Sequence, residues 1–364
     1  MESLFKKAEE LYDKYERRMS SVALVTGFIF DSITLQRIDL LFENLIMLFY
    51  LILSGGSIAL LNYYHEHPPQ RIFFIRIEKL LPIFIQFTFG GLFSAFFIFY
   101  SHGANFSSSW PFILILLTLL IGNEFFRNFY RKLTFQISIY FLAVFSFFIF
   151  FIPVILKTMG ATVFVLSGLV SLVFIGLFSL VIFKVVPKRY EGSRTHLRNA
   201  VVSIFIVINV LYFFNLIPPI PLALKDSGVY HHIERMGGVY LALKEKKDWY
   251  EFIPFFVTET VSLERGFPLY VFSSVFAPTD LDTNVIHDWQ YYDERQGKWI
   301  SATRISFSII GGRDGGYRGY SRKQNVFEGK WRVDVKTQRD QIIGRVRFNI
   351  EERRSETEFE EQIL

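Results

Sequence analysis

Long apolar runs fill the first part of this chain, and short alternating ones fill the rest. A membrane-spanning helix needs about 20 mainly apolar residues. Runs of that kind lie at 20–37, 40–62, 80–102, 110–126, 133–156, 161–186 and 199–221, and they predict seven spans. The first is the weakest, because Asp31 falls inside it, whereas the third to seventh carry few or no interior charges. Ahead of them, residues 1–19 are charged throughout, with Leu4, Phe5, Ala8, Leu11, Tyr12 and Tyr15 at helical spacing. That pattern is not a signal peptide. It predicts an amphipathic helix on the membrane surface or docked on a loop; a solvated helix with a narrow core stripe fits equally.

The pattern changes at Asn215–Asp226. Pro218, Pro219 and Pro221 lack backbone donors and favour stiff extended geometry, so a hinge is expected there. Residues 227–266 fit either a short helix or two strands around Gly237–Gly238. From Phe267 the period becomes two, the mark of half-buried strands. His287, Trp289 and Tyr291 share one face of a strand, with Asp288, Gln290 and Tyr292 on the other. Trp331, Val333 and Val335 alternate with Arg332, Asp334 and Lys336, so one face should pack inward while the other is charged. The fold class is therefore an α-helical membrane bundle of about seven transmembrane helices followed by a small antiparallel β-sandwich-like soluble domain. The expected division is 1–19, an amphipathic helix; 20–224, the membrane domain; 225–350, an extracytoplasmic β-rich domain; and 351–364, an acidic, solvated and partly disordered tail.

Composition sharpens this. Half of the residues are hydrophobic (51%), 43 of 364 are Phe, and mean hydropathy is +0.30. Residues 1–224 carry 18 Lys+Arg against 12 Asp+Glu, and residues 225–364 carry 21 against 22. The basic excess thus sits in loops between apolar runs and does not describe a nucleic-acid surface. Lys6, Lys7, Lys14, Arg17 and Arg18 precede the first span. Arg71, Arg76 and Lys79 follow the second; Arg127, Arg131 and Lys132 follow the fourth; Lys184, Lys188, Arg189, Arg194 and Arg198 follow the sixth. The positive-inside rule then places the N-terminus in the cytoplasm and the C-terminal domain outside. Cysteine is absent, which removes disulfides, thiolate catalysis and cysteine metal sites.

Three stretches together resemble a family: Gly27–Asp39; Ile217–His231; and the series His287–Trp289, Gly311–Ser321 and Gly329–Val335. The chain is similar to bacterial membrane proteins that carry the domain-of-unknown-function family 2914 at the C-terminus. The resemblance implies a multi-span protein with a soluble end, and no activity.

Candidate chemistry is of two kinds. In the soluble half, His287, Trp289, Arg313, Tyr317, Arg318, Tyr320, Ser321, Lys323, Trp331 and Arg332 mix aromatic faces with cationic donors, which suits a sugar ring, a peptide carboxylate or a phosphate. The alternative is that Trp289 and Trp331 are core and the arginines a solvated face. In the membrane half, Asp31, Arg37, Asp39, Glu43 and Asn44 cluster near the first turn-back. Gln86 lies in the third span beside Gly90 and Gly91, whose size allows close helix approach. Asn123, Glu124 and Arg127 end the fourth. These are interhelical glue or a relay or polar site centred on Asp31 and Glu43. No nucleophile elbow, zinc motif or phosphate loop occurs, and no cofactor or metal is expected; the adjacent His231 and His232 point apart. The first expectation is a non-enzymatic membrane-anchored binding or scaffold protein whose outer domain takes an envelope glycan, a peptide or a partner protein. A transporter or channel using Asp31 and Glu43 is second. Third is a membrane-embedded enzyme acting on a lipid-linked substrate, with Glu124, Arg127 or His102 lining a cavity.

Overall fold

Among the described residues, six helices and eleven strands are delimited, the helices first and the strands after them. The computed structural model describes residues 28–29, 31–33, 35, 41–102, 106–123, 125, 129–130, 132–217, 222–246, 259–264, 266–277, 282–310, 316–352 and 358–364. The expected helix at 1–19, most of the span at 20–37 and the prolines Pro218, Pro219 and Pro221 lie outside these residues. The chain divides into two compact units. One is Met1–Ser101, Trp110–Leu156 and Gly160–Leu216; the other is His102–Ser109, Lys157–Met159 and Ile217–Leu364.

The helices are α1 (Leu41–Glu66), α2 (Ile72–His102), α3 (Phe106–Gly122), α4 (Leu133–Leu156), α5 (Ala161–Val185) and α6 (Pro187–Phe213), and all of them lie in the first unit except His102 and the start of α3 up to Ser109. Five of them, all but α3, are long and apolar enough to cross a membrane. The run at 110–126 corresponds to α3, which has 17 residues and stops at Gly122; at 1.5 Å per residue that is about 25 Å, at the short end of the lengths that cross a bilayer. The last helix also departs from its apolar run, beginning at Pro187 rather than 199 and ending at Phe213 rather than 221. Proline is favoured in the first helical turn, so the basic stretch that reads as a loop is helical. Its end is closed where Asn215 adopts a positive φ of 58° and the Leu216 N–H donates to the Leu211 carbonyl.

Glycine sets how closely these helices approach. A Cβ at Gly55 would stand 2.6 Å from the Tyr140 hydroxyl, and one at Gly91 would stand 2.9 Å from the Tyr50 ring. Aromatic rings fill the remaining space: Phe145 stacks on Phe205 and Phe164 on Tyr212.

The second unit is built of three sheets. β1 (Ala223–Tyr230), β5 (Leu269–Phe276) and β8 (Tyr317–Lys323) form the middle one. β4 (Glu259–Leu263), β10 (Ile342–Glu352), β9 (Gly329–Thr337), β6 (Asp282–Asp293) and β7 (Lys298–Ile310) form a five-stranded sheet in that order. The third orders as β11 (Phe359–Ile363), β3 (Val239–Glu245) and β2 (His232–Met236). Every residue of β5 is buried because the middle sheet has a core on each face. Leu269 and Val271 pack with Trp289, Trp331, Val333 and Phe348 of the five-stranded sheet. Tyr270 and Phe272 pack instead with Ile233, Tyr240 and Ala242 of the third.

The β unit departs from the sequence reading in its layering and its tail and settles one alternative left open. The arrangement has three layers rather than two, and one pairing, β4 with β10, is parallel. Of the two readings of 227–266, the strands hold: Gly237 and Gly238 take φ of 58° and 92°, which glycine adopts freely, and join β2 to β3. The acidic tail also supplies β11. Its backbone pairs with β3, Phe359 meets the His231 ring, and Leu364 packs on the second core.

Candidate functional site

The alternation read along β6 sends His287 and Trp289 inward, and both are fully buried. His287 there bridges two sheets. Its Nε2 meets Ser273 Oγ of β5 at 2.7 Å and its Nδ1 meets Ser321 Oγ of β8 at 2.7 Å. Trp289 Nε1 donates to the same Ser321 oxygen at 2.9 Å. Burial holds the imidazole neutral, with its pKa pushed down to about 3. A neutral ring donates from one nitrogen and accepts at the other, and it has a hydroxyl partner for each. This Ser–His–Ser tie joins the two layers from within the core.

The ten residues singled out in the soluble half do not share one surface. His287, Trp289, Ser321 and Trp331 lie in the core between the middle and five-stranded sheets. Trp331 Nε1 donates to the Phe327 carbonyl. Tyr317 is half-buried against that core. Lys323 closes it at one end, its Nζ donating to Thr303 Oγ1 at 2.7 Å and lying 5.8 Å from the Trp331 ring; burial holds the ammonium below its usual pKa. Arg318 and Tyr320 face the other way from β8. Arg318 donates to the Leu364 carbonyl, and Tyr320 meets the rings of Tyr240 and Tyr270. Arg313 lies outside the described residues. Only Arg332 belongs to the site described next.

That site is the face of the five-stranded sheet turned away from the core. The register sets Asp288 opposite Asp334 and Gln290 opposite Arg332 across β6 and β9, with Arg345 of β10 opposite Asp334. Like charges directly opposite on a sheet repel, so cations must converge on the pair. Lys336 Nζ lies 2.5 Å from Asp288 Oδ2. Asp288 also accepts from Gln290 at 2.6 Å and from Ser301 at 2.5 Å. Arg345 grips Asp334 with a two-pronged fork through Nε and Nη2. Burial alone would raise the Asp288 pKa, but hydrogen bonds from Lys336, Ser301 and Gln290 and the Lys336 charge bring it below the usual value. Side-chain exposure is only 4% for Asp288, 2% for Asp334, 13% for Lys336 and 11% for Arg345. The alternation between an inward face and a charged face holds, and mutual pairing buries the charges.

Arg332 finishes the network and opens it outward. Its Nε donates to Gln290 Oε1 at 2.8 Å, and its guanidinium lies 4.4 Å from the centroid of the Trp299 ring. Trp299 in turn meets Tyr292 edge-on at 5.3 Å, and Lys330 lies 5.6 Å over Tyr292. Burial and the neighbouring Arg345 and Arg347 hold the Arg332 pKa down against Asp334 and Asp288. The result is two half-buried rings, Tyr292 and Trp299, beside Arg332, Lys330 and the exposed Arg347. Stacking and charge-assisted hydrogen bonding to an anionic ligand are what such a surface offers. Sequence reading missed Trp299 and Tyr292. The available signal was an aromatic residue at each end of the turn at 294–297.

In the helical unit, five polar residues form a chain of neutral groups. Gln86 Nε2 donates to the Asn123 carbonyl and Asn123 Nδ2 to the Gln86 carbonyl. Tyr130 donates to Asn123 Oδ1, Gln136 to the Tyr130 carbonyl, and Asn62 to Gln136 Oε1 at 2.6 Å. Gln86 and Asn123 were legible as glue; Asn62, Tyr130 and Gln136 were not singled out. Glu43 and Asn44 are buried and Asp31 is half-buried. Arg37, Asp39, Glu124 and Arg127 lie outside the described residues. His231 pairs with Glu245 at 2.8 Å, whereas His232 is exposed, so the two do point apart. Among the described residues no three His, Asp or Glu converge to hold a metal ion.

Residues 282–350 match the model of a family described as a protein of unknown function, DUF2914, and the polar face lies within that match. No curated protein matches the chain. Among solved structures, Pseudomonas fluorescens alkylpurine DNA glycosylase AlkC bound to DNA containing an abasic site analog is 10% identical, covering 78% of this chain and 82% of that one, with a TM-score of 0.20. A likeness at that score carries no argument about fold or function.

Proposed function

We propose that this is a multi-pass protein of the bacterial inner membrane, non-enzymatic, that uses the polar face of its β unit to bind a carboxylate-bearing envelope ligand, glycan or peptide. The observation that carries this is the Arg332–Trp299 stack, held by Gln290 inside a buried network. A stacked arginine braced from behind presents its remaining N–H donors in fixed directions, which lowers the ordering cost of binding. The N-terminus is cytoplasmic in this reading and the β unit extracytoplasmic, where such ligands occur.

Calorimetric titration of the detergent-solubilised full chain with cell-wall glycopeptide fragments tests the reading. Binding that disappears when the fragments' carboxylates are amidated supports it, and the absence of binding to either form removes it. Topology is tested by single cysteines at Ser107, Thr195 and Ser306, labelled on intact cells with an impermeant thiol reagent and on permeabilised cells as control. The expected order is outside, inside, outside.

The burial of Glu43, 4% exposed in α1, favours a second reading, a transporter or channel using Asp31 and Glu43. Neutralising both would abolish flux in reconstituted vesicles if this were so.

A further inference from the structure

The first turns of α4 and α6 meet at a cleft that nothing described so far uses. Its volume is about 600 Å3, and Phe129, Lys132, Thr134, Phe135, Arg189 and Ser193 line it. Arg189 and Ser193 are one turn apart and share a face of α6. Lys132 stands immediately before α4, 5.7 Å over the Phe129 ring.

The Glu66 carboxylate lies within electrostatic reach of Arg189. The position matters as much as the charge. Leu133–Leu156 and Pro187–Phe213 are two of the five helices apolar enough to cross a membrane. Lys132 and Arg189 sit where those helices begin, which is the depth of the lipid phosphates. The aromatic wall adds an apolar boundary: Phe129 is 49% exposed and Phe135 is half-buried.

We infer that this cleft binds the phosphate of an anionic phospholipid headgroup. Arg189 supplies forked N–H donors and Lys132 a point charge. The Ser193 and Thr134 hydroxyls lie within the same cleft, and the phenylalanines flank the glycerol and upper acyl chains. This rests on the membrane reading of the helices and is independent of ligand binding by the β unit.

Native mass spectrometry of the detergent-solubilised full chain tests it, with dioleoylphosphatidylglycerol as the anionic probe and dioleoylphosphatidylcholine as the zwitterionic one. The intact protein should retain phosphatidylglycerol in preference. Lys132→Gln with Arg189→Gln should weaken that binding roughly 30-fold, from the usual contribution of two cations near a lipid surface. Lys188→Gln with Arg194→Gln, which removes exposed cations of α6 outside the cleft lining, should leave it unchanged. Ser193→Trp keeps both charges and fills the cleft, so it should also lose the lipid; if the double glutamine variant fails to fold, this variant decides. Equal retention by the intact protein and the cleft variants overturns the inference. Displacement of the lipid by millimolar inorganic phosphate overturns it as well, because the cleft would then be a site for free phosphate.

Discussion

Asp288 and Asp334 face each other directly across β6 and β9, and both are buried. Two carboxylates in that relationship are tolerable only because Lys336 spans toward both, at 2.5 Å from Asp288 and 3.8 Å from Asp334, while Arg345 holds the second from β10. Removing one member of such a set leaves a buried charge without compensation. Asp334→Asn should therefore cost about 3–5 kcal/mol in urea unfolding of the β unit. Asp334→Asn combined with Arg345→Met should cost less than the sum of the two single changes. Strict additivity would show that the pair is not coupled.

His287 gives the β unit a pH dependence with a definite sign. Folded, its imidazole stays neutral down to about pH 3; unfolded, it protonates near its ordinary value of 6.5. The unfolded chain thus binds more protons between those values, and stability is fully present above 6.5 and falls as pH drops toward 3. From pH 7 to pH 5 the loss attributable to this group is about 2 kcal/mol. His287→Gln should flatten the stability profile over that range, as followed by tryptophan fluorescence during urea unfolding. An unchanged slope would show that the ring titrates normally in the fold.

In the helical unit, Gly55 lies against the Tyr140 hydroxyl, which donates to the Leu51 carbonyl at 3.1 Å. Gly55→Ala should lower the melting temperature in detergent because the new methyl group meets an oxygen that cannot retreat without losing its bond. Adding Tyr140→Phe removes that oxygen and should recover part of the loss. If the double variant is as unstable as the two changes added together, the close approach is not what constrains this pair of helices.

How much of this was legible is best seen in single residues. Period-two alternation placed His287, Trp289 and Tyr291 on one face of β6, because one-sided burial leaves that mark. Burial of Asp288 and Asp334 was not legible. Their neutralising partners come from cross-strand neighbours, and a bulge between Ile342 and Gly344 sets the register that puts Arg345 opposite Asp334. A second bulge, between Trp289 and Gln290, shifts β7 so that Ser301 lies opposite Gln290. Apolar length foretold α1, α4 and α5 well, whereas α2 begins at Ile72 rather than 80, with Arg76 and Lys79 inside the helix. It misjudged the start of α6, where Pro187 and the cations after it suit a helical first turn as readily as a loop. The tail reads as solvated and partly disordered because its charge masks a β11 ladder made by backbone groups, which carry no composition signal.

The central claim is that the Trp299–Arg332 surface binds a carboxylate-bearing ligand, and one measurement bears on it most directly. The full chain is titrated calorimetrically with carboxylate-bearing cell-wall glycopeptide fragments alongside Trp299→Ala, Arg332→Met and Arg318→Gln, the last removing an exposed cation from a different sheet. The account predicts that the first two lose about tenfold or more in affinity while Arg318→Gln binds as the unaltered protein does. Equal binding by all four proteins would contradict it.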